Sequence, residues 1–505
     1  MGGLLSKAQY LDNKERRLNQ FCVSLGRSNQ LEPTTMTKPK TNIAAFITLI
    51  SIFFFWGFVA ASNDILIPVF KKALNLSQSK VQLISVAFYI SYTVGSLIYF
   101  GLSYVRKSDI LNSIGYRNGM ALGLLISAFG SLLFIPAANS QSFTLLISGL
   151  FIVGLGFSMQ QIAANPLIIR LGDSSTGSQR LSLAGGINNI GTTIGPVIVA
   201  FAIFGAPKGD GAAMELSNVQ IPYIALGGAF VLAAALIKWS SLPDVITEED
   251  ATTNGATPAK SSVFQYPQLT LGMIAIFVYV GVEVSTASNL PDFLKQKLGV
   301  SEDAVAPYVS LFWASLMIGR WTSAAGAFGV SNTLKQVFNV VLPFVAFGIF
   351  ILANKIAEHP VEEFYSYAGL IVVLIGLDYL SKGLPSRQLL LFSAAAIISL
   401  LIGIYGTGMV SAYAFIAVGL FCSTLWPCIF TIAISGLGRH TNVGSSLLIM
   451  MIMGGGLVSY TQGYLSEQVV GIQQSYWVGI VCFIYLAYYA WRTRHLDAAP
   501  VSGGH

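Results

Sequence analysis

Charge is what this 505-residue chain has least of. Asp, Glu, Lys and Arg make up 10% of it, against about 25% in ordinary soluble domains. Its hydrophobic share is 54% and its mean hydropathy +0.67, which excludes a water-soluble globular protein. The apolar runs are continuous rather than alternating, and about 17 to 28 residues long. That is the length of bilayer-crossing helices and excludes a transmembrane β-barrel. The expected fold class is therefore all-α, a polytopic membrane protein.

Histidine and cysteine are almost as scarce. The four histidines, His359, His440, His495 and His505, stand in expected loops or the C-terminal tail, so no intramembrane His relay or zinc site is available. The four cysteines, Cys22, Cys422, Cys428 and Cys482, have neither metal-ligand spacing nor an obvious pairing and read as small apolar fillers. With no nucleophile, base and metal set, the chain is not expected to be an enzyme, and no cofactor or metal is called for. The first 40 residues lack the apolar core of a signal peptide. The net charge of +6 is spread over short loops without an aromatic-basic platform, so no nucleic-acid partner is expected.

What is present is a succession of apolar runs, at about 43 to 70, 82 to 105, 116 to 138, 142 to 169, 181 to 205 and 220 to 241. A polar stretch with Asp244, Glu248, Glu249, Asp250, Pro258 and Lys260 follows and reads as a linker. Further runs lie at about 268 to 294, 304 to 329, 334 to 354, 365 to 380, 389 to 406, 409 to 437, 443 to 470 and 475 to 491. The expected organisation is a cytoplasmic N-terminal tail over 1–42, a six-helix bundle over 43–241 and a cytoplasmic linker over 242–266. A second bundle follows over 267–494, then a cytoplasmic tail over 495–505.

The two halves repeat. At an offset of 224, the stretches from Gly57 to Gly95 and from Gly281 to Gly319 share Gly57/Gly281, Leu66/Leu290, Lys71/Lys295, Leu74/Leu298, Ser77/Ser301, Val81/Val305, Phe88/Phe312, Ser91/Ser315 and Gly95/Gly319. Same-direction repetition of membrane helices is a transporter signature. Farther on, Pro166, Leu171-Gly172 and Gly177-Ser178 recur as Pro427, Leu437-Gly438 and Gly444-Ser445. The surplus runs of the second half, at about 334–380, are thereby expected to be an inserted helix pair. With the N-terminus inside, only Lys71, Lys72, Lys80, Lys208, Lys295, Lys297 and Lys355 fall outside, and the remaining basic residues, Arg320 among them, fall inside. Both termini are therefore expected to be cytoplasmic.

An ionisable group within a membrane helix costs about 2.5 to 3.5 kcal/mol on insertion scales, so it marks function or a partner. Asp64 follows Asn63 in a stretch weakened by small residues and Pro68, and has only Ser288 opposite it in the repeat. Glu283 faces only Val59 and begins a polar run through Ser285, Thr286, Ser288 and Asn289. Asp378 reads as an interfacial pair with Lys382, one turn on. Gln160, Gln161 and Asn165 sit before Pro166, and Asn188-Asn189 lie among glycines and threonines. Such amides offer donors and acceptors that suit a neutral polyhydroxylated ligand, stacked on aromatics such as Trp56, Phe88 or Trp426. Interhelical hydrogen bonding is the alternative, strongest for Asn189.

These residues resemble the fucose and glucose/galactose permease branch of the major facilitator superfamily. The resemblance is carried by Phe55-Trp56-Gly57-Phe58 with Asn63-Asp64-Ile65-Leu66, by Ala163-Ala164-Asn165-Pro166 with Arg180 and Asn188, by Tyr279 to Ser285, by Gly319-Arg320, and by Trp426-Pro427 with Gly444-Ser445-Ser446. It implies the major facilitator fold, two six-helix bundles rocking around a central site, and proton-driven uptake of a sugar. Asp64 falls at the first-helix acid tied to coupling and Asn188 at a fifth-helix amide near the sugar. Gln161 stands where the fucose branch carries glutamate. Glu283 stands where that branch has glutamine and the glucose/galactose branch resembles this chain.

The expected function is proton symport of a neutral monosaccharide, a hexose such as glucose or galactose, across the inner membrane. Asp64 and Glu283 are the expected coupling acids. Asn63, Gln160, Gln161, Asn165, Asn188, Glu283, Asn289, Trp56 and Trp426 are the expected sugar contacts. Sodium coupling, or fucose or an amino sugar as cargo, are the alternatives. The expected partners are the sugar and the lipid bilayer, with the chain acting as a monomer.

Overall fold

A computed structural model describes residues 43–74, 78–204, 217–243, 261–301, 304–327 and 331–497. The N-terminal tail, most of the linker and the last residues of the chain lie outside these. The described residues form helices joined by short turns. In the first half these are α1 (Ile43–Ala73), α2 (Gln78–Arg106), α3 (Tyr116–Leu132), α4 (Phe143–Arg170), α5 (Gly177–Phe204) and α6 (Ser217–Lys238).

In the second half, α7 (Pro267–Leu298), α8 (Ala306–Thr322), α9 (Asn332–Ile356), α10 (Ala368–Ser381) and α11 (Pro385–Tyr405) come first. One span is then broken into α12 (Gly408–Cys422) and α13 (Leu425–Ile434), another into α14 (Thr441–Met450) and α15 (Gly454–Gln468), and α16 (Trp477–Thr493) closes the series. Local chemistry sets the ends. Pro267 and Pro385 open α7 and α11, where a missing N–H is harmless, and Gly299 closes α7 at φ 66°. The Ser142 and Ser331 hydroxyls accept from the backbone N–H of Leu145 and Leu334, capping α4 and α9.

Packing repeats between the halves. In the first, α1 lies on α5, α2 on α4, and α3 on both α4 and α6. In the second, α7 lies on α15, α8 on α12, and α11 on both α12 and α16. Beside these pairs, α9 packs on α8 and α10 on α11. The repeated small residues explain why the pairs match. A Cβ on Gly57 would enter the Asn188 carbonyl of α5, and one on Gly281 would strike Val458 of α15. A Cβ on Gly95 would meet Ser158 of α4, as one on Gly319 would meet Ser423, at the end of α12. Where lipid is as apolar as the side chains, such close backbone approach is what holds helices together.

The turn from α4 to α5 is clamped by Arg180, which is fully buried. Its guanidinium donates to the Ile168 carbonyl at 3.1 Å, to the Asp173 carbonyl at 2.8 Å, to Thr176 Oγ1 at 2.7 Å and to the Ile169 carbonyl.

The expected Asp378–Lys382 pair does not form. Lys382 leaves the helix in a left-handed conformation at φ 56° and is exposed. Asp378 is buried instead, and Gln388 Nε2 of α11 donates to its Oδ1 at 2.8 Å, tying α10 to the bundle. Burial inside the helix pack outweighs a solvent-screened pair one turn away.

Hydrogen bonds that cross between the halves run from the middle of α2, where Thr93 Oγ1 donates to the Met450 carbonyl at 3.1 Å, to the end where α4 meets α5 and α14 begins. Arg170 donates to Thr441 Oγ1 at 2.7 Å, and Ser445 Oγ to the Ile162 carbonyl at 3.1 Å. Asn442 Nδ2 donates to Asp109 Oδ1 at 3.1 Å and Asn112 Oδ1 at 3.3 Å, while its own Oδ1 accepts from the Tyr116 hydroxyl. The halves are therefore joined at this end of the molecule.

Candidate functional site

The sites expected from sequence fall on α1, α4, α5, α7 and α13, the helices that face across the seam between the halves or back those that do. Asn63 and Asp64 lie on α1, and their side chains fall outside the described residues. Two turns earlier, Trp56 is buried, and its indole Nε1 donates to Gln160 Oε1 of α4 at 2.6 Å. Gln160 Nε2 donates in turn to Ser127 Oγ of α3 at 3.1 Å. Both ends of the Gln160 amide are thus occupied, and its relative exposure is 0%. The next residue differs: Gln161 is partly exposed, with its Nε2 3.3 Å from the Tyr92 hydroxyl of α2.

On α5, Asn188 donates from Nδ2 to the Phe53 carbonyl of α1 at 2.8 Å and stays partly exposed. Asn189 points the other way. Its Oδ1 accepts from Arg320 Nη1 of α8 at 3.0 Å, and its Nδ2 is a buried donor without a partner. Asn165, buried beside Pro166 in the interior of α4, likewise keeps an unpartnered Nδ2.

Arg320 is the centre that sequence reasoning missed. It stands inside α8 rather than in a loop. From there its Nε donates to the Ser423 carbonyl at 2.9 Å, and its Nη1 donates across the seam to the Gly185 carbonyl at 3.1 Å as well as to Asn189. Glu283 of α7, partly exposed, lies within electrostatic reach of Arg320 and of the Tyr279 hydroxyl one turn back. The available signal was a charge within the apolar run 304 to 329, which charge counting assigned to a loop. Arg320 is partly exposed, and a guanidinium drawn into a helix pack needs several acceptors and a counter-charge. The Ser423 and Gly185 carbonyls, Asn189 and Glu283 supply them.

Trp426 of α13 is partly buried, with its ring centroid 6.2 Å from Tyr279 and 6.0 Å from Phe430. Asn289 is buried and donates to its own helix, at the Ser285 carbonyl, 2.8 Å away. The structure therefore brings together Glu283, Arg320, Asn189 and Tyr279, with Trp426 against Tyr279. It groups Trp56 with Gln160, and Gln161 with Tyr92, on the facing half. Asn165 and Asn289 join neither group by hydrogen bond. Among the described residues, no group of three His, Cys, Asp or Glu is placed to hold a metal. The arrangement offers amides, a carboxylate and aromatic faces along a seam.

The Major Facilitator Superfamily profile matches residues 43–377. The chain is 32% identical over 471 residues to the glucose/galactose transporter of Brucella abortus (strain 9-941), covering 93% of this chain and 98% of that one. It is 25% identical to the L-fucose-proton symporter of Escherichia coli (strain K12), over 89% of this chain and 93% of that one. Among solved structures, it superposes with a TM-score of 0.66 and 25% identity on the Major Facilitator Superfamily transporter FucP in the outward conformation. That match covers 89% of this chain and 98% of FucP.

Proposed function

Because the chain belongs to the major facilitator superfamily, in its fucose and glucose/galactose transporter family, we propose that it imports a neutral monosaccharide, a hexose such as glucose or galactose, by proton symport. It is an all-helical, multi-pass membrane protein and a transporter by family, not an enzyme. The observation that carries the sugar reading is identity of 32% with a glucose/galactose transporter along nearly the whole of both chains. The geometry adds partly exposed Gln161, Asn188 and Glu283 beside aromatic faces, groups that pair hydroxyls and stack a pyranose ring.

In the proposed orientation both termini are cytoplasmic, in a cell membrane, so the joined end of the seam is the cytoplasmic one. The state described here is then outward-facing. Sugar enters from outside and meets Gln161, Asn188 and Glu283, with Asn63, Asn165 and Asn289 as further polar contacts and Trp426 as a stacking face. Gln160 acts from behind, holding the Trp56 ring in place. Asp64 takes the coupling proton, and Glu283, poised beside Arg320, is the second acid of the cycle. Rocking to the inward state requires Arg320 to leave Asn189 and Gly185. The pair α9 and α10 is an insertion that travels with the second half, since it packs on α8 and α11. The site lies between two halves of one chain, so a monomer suffices.

Uptake of labelled glucose and galactose into proteoliposomes, with the proton or the sodium gradient collapsed in turn, tests this. Accumulation should vanish when the proton gradient is removed. Loss only with the sodium gradient would assign the carboxylate to Na+ instead, and accumulation that survives both collapses would rule out symport. Competition by L-fucose and by an amino sugar sets the cargo.

A further inference from the structure

A groove of about 330 Å³ opens where α11 begins and α16 ends. Arg387, Leu390, Trp491, Arg494 and Asp497 line it. Asp497 is already engaged: its carboxylate accepts from the Ser386 backbone N–H at 3.2 Å and from the Ser386 hydroxyl, capping α11. The two guanidiniums are both exposed and face the groove against this single, occupied carboxylate, which leaves it positive. Arg494 lies over the Trp491 ring at 5.6 Å, an arrangement that holds its guanidinium at the rim. Trp491 is 53% exposed and Leu390, one turn inward from Arg387, is 38% exposed, so the wall continues outward as apolar surface.

A ligand that matches must carry a negative phosphate at the helix ends and a hydrocarbon part along Trp491 and Leu390. Helix ends with arginine and tryptophan mark the headgroup level of a bilayer, and basic pockets between helices on the cytoplasmic side bind anionic headgroups. We propose that this groove binds one anionic phospholipid of the cytoplasmic leaflet, its phosphate held by Arg387 and Arg494 and its glycerol and acyl portions laid against Trp491 and Leu390. Only the choice of leaflet rests on the orientation proposed above. Lipid binding is independent of which sugar or cation the protein carries.

The test uses the full-length chain in neutral detergent, titrated with phosphatidylglycerol or phosphatidylcholine of matched acyl chains, with bound lipids counted by native mass spectrometry. At about fivefold per arginine near an anionic headgroup, R387Q/R494Q should weaken phosphatidylglycerol binding about thirtyfold while leaving phosphatidylcholine unchanged. Both arginines are exposed, so the variant should unfold at the same temperature as the wild type without lipid. Equal phosphatidylglycerol binding by the two proteins would overturn the proposal, as would equal affinity of the wild type for the two lipids. Displacement of phosphatidylglycerol by millimolar inorganic phosphate would instead assign the groove to a soluble anion and refute the lipid.

Discussion

Asn442 is the residue whose loss should most cleanly shift the balance between the two ends of the seam. It is buried and makes three hydrogen bonds to the other half: from Nδ2 to Asp109 and Asn112, and at Oδ1 from the Tyr116 hydroxyl. Interhelical hydrogen bonds in membranes average about 0.6 kcal/mol, so Asn442→Ala should remove about 2 kcal/mol from the state closed at this end. That is about a thirtyfold shift toward the state open there. The same bonds are absent once the halves part, so the open state is unaffected. The reporter should be remote from the substitution. Ser182 is buried on α5, its Oγ donating to the Arg320 carbonyl at 3.3 Å, and becomes reachable when α5 and α8 separate. In a background without the native cysteines, modification of Ser182→Cys by a polar thiol reagent should accelerate about thirtyfold on adding Asn442→Ala. Asn118→Ala is the control, because Asn118 bonds only Lys238 and the Ile114 carbonyl of its own half. An unchanged rate with Asn442→Ala, or the same acceleration with Asn118→Ala, would refute the reasoning.

Asp64→Asn should abolish energised accumulation in vesicles while counterflow exchange of labelled sugar persists, and full accumulation by this variant removes Asp64 from the coupling role. Gln161→Ala and Asn188→Ala should each weaken sugar binding about fivefold, the worth of one hydrogen bond of about 1 kcal/mol. Glu283→Gln should weaken it less, because an amide still pairs a hydroxyl. Sugar-dependent thermal stabilisation reads all three, and unchanged affinity throughout points to structural roles. Gly57→Val should cost about 1 to 3 kcal/mol or more by forcing α1 off the Asn188 carbonyl. Its thermal unfolding temperature should fall well below that of Gly101→Val, where the added Cβ meets open space, and equal temperatures would contradict the packing account.

Much of the scaffold is legible in the sequence because membrane helices announce themselves by length and lack of charge. The runs at about 116 to 138 and 142 to 169, for instance, coincide with the region of α3 and with α4. The site was legible in residue type but not in partnership. Nothing in Gln160-Gln161 says that the first amide is spent on Trp56 and Ser127 while the second is partly exposed. That difference arises from one residue's rotation about α4. Asp378 was misjudged for the same reason: its nearest cation in sequence is Lys382, but helix α10 ends there and turns the lysine out, leaving Gln388 as the partner. Arg320 was read as a loop charge because a positive residue near a span's end usually lies at the membrane surface.

The repeat separates two kinds of position. Where the halves agree, the shared residues set helix spacing, as Gly57 with Gly281 and Gly95 with Gly319 do. Where they differ, the residues carry charge or cross the seam. The counterpart of Arg320 at the offset of 224 is Ser96, whose hydroxyl pairs at 3.0 Å with Ser158 inside its own half. Carrying the Gly177/Gly444 register forward puts Asn188 and Asn189 opposite Gly455 and Gly456. Arg320 and Asn189, whose side chains bond each other across the seam between α5 and α8, are therefore both departures from symmetry. Same-direction halves are related by an axis along the membrane normal, so their agreement sets how the helices pack, while the balance between the outward- and inward-open states rests on the bonds made across the seam at each end. In the sequence register of the repeat the proposed coupling acid Asp64 stands opposite Ser288, and Glu283 opposite Val59, so neither acid is duplicated in the other half. Protonation and sugar binding then act on an equilibrium already biased by Arg320 and Asn189, and a ligand shifts such an equilibrium only through its unequal affinity for the two states.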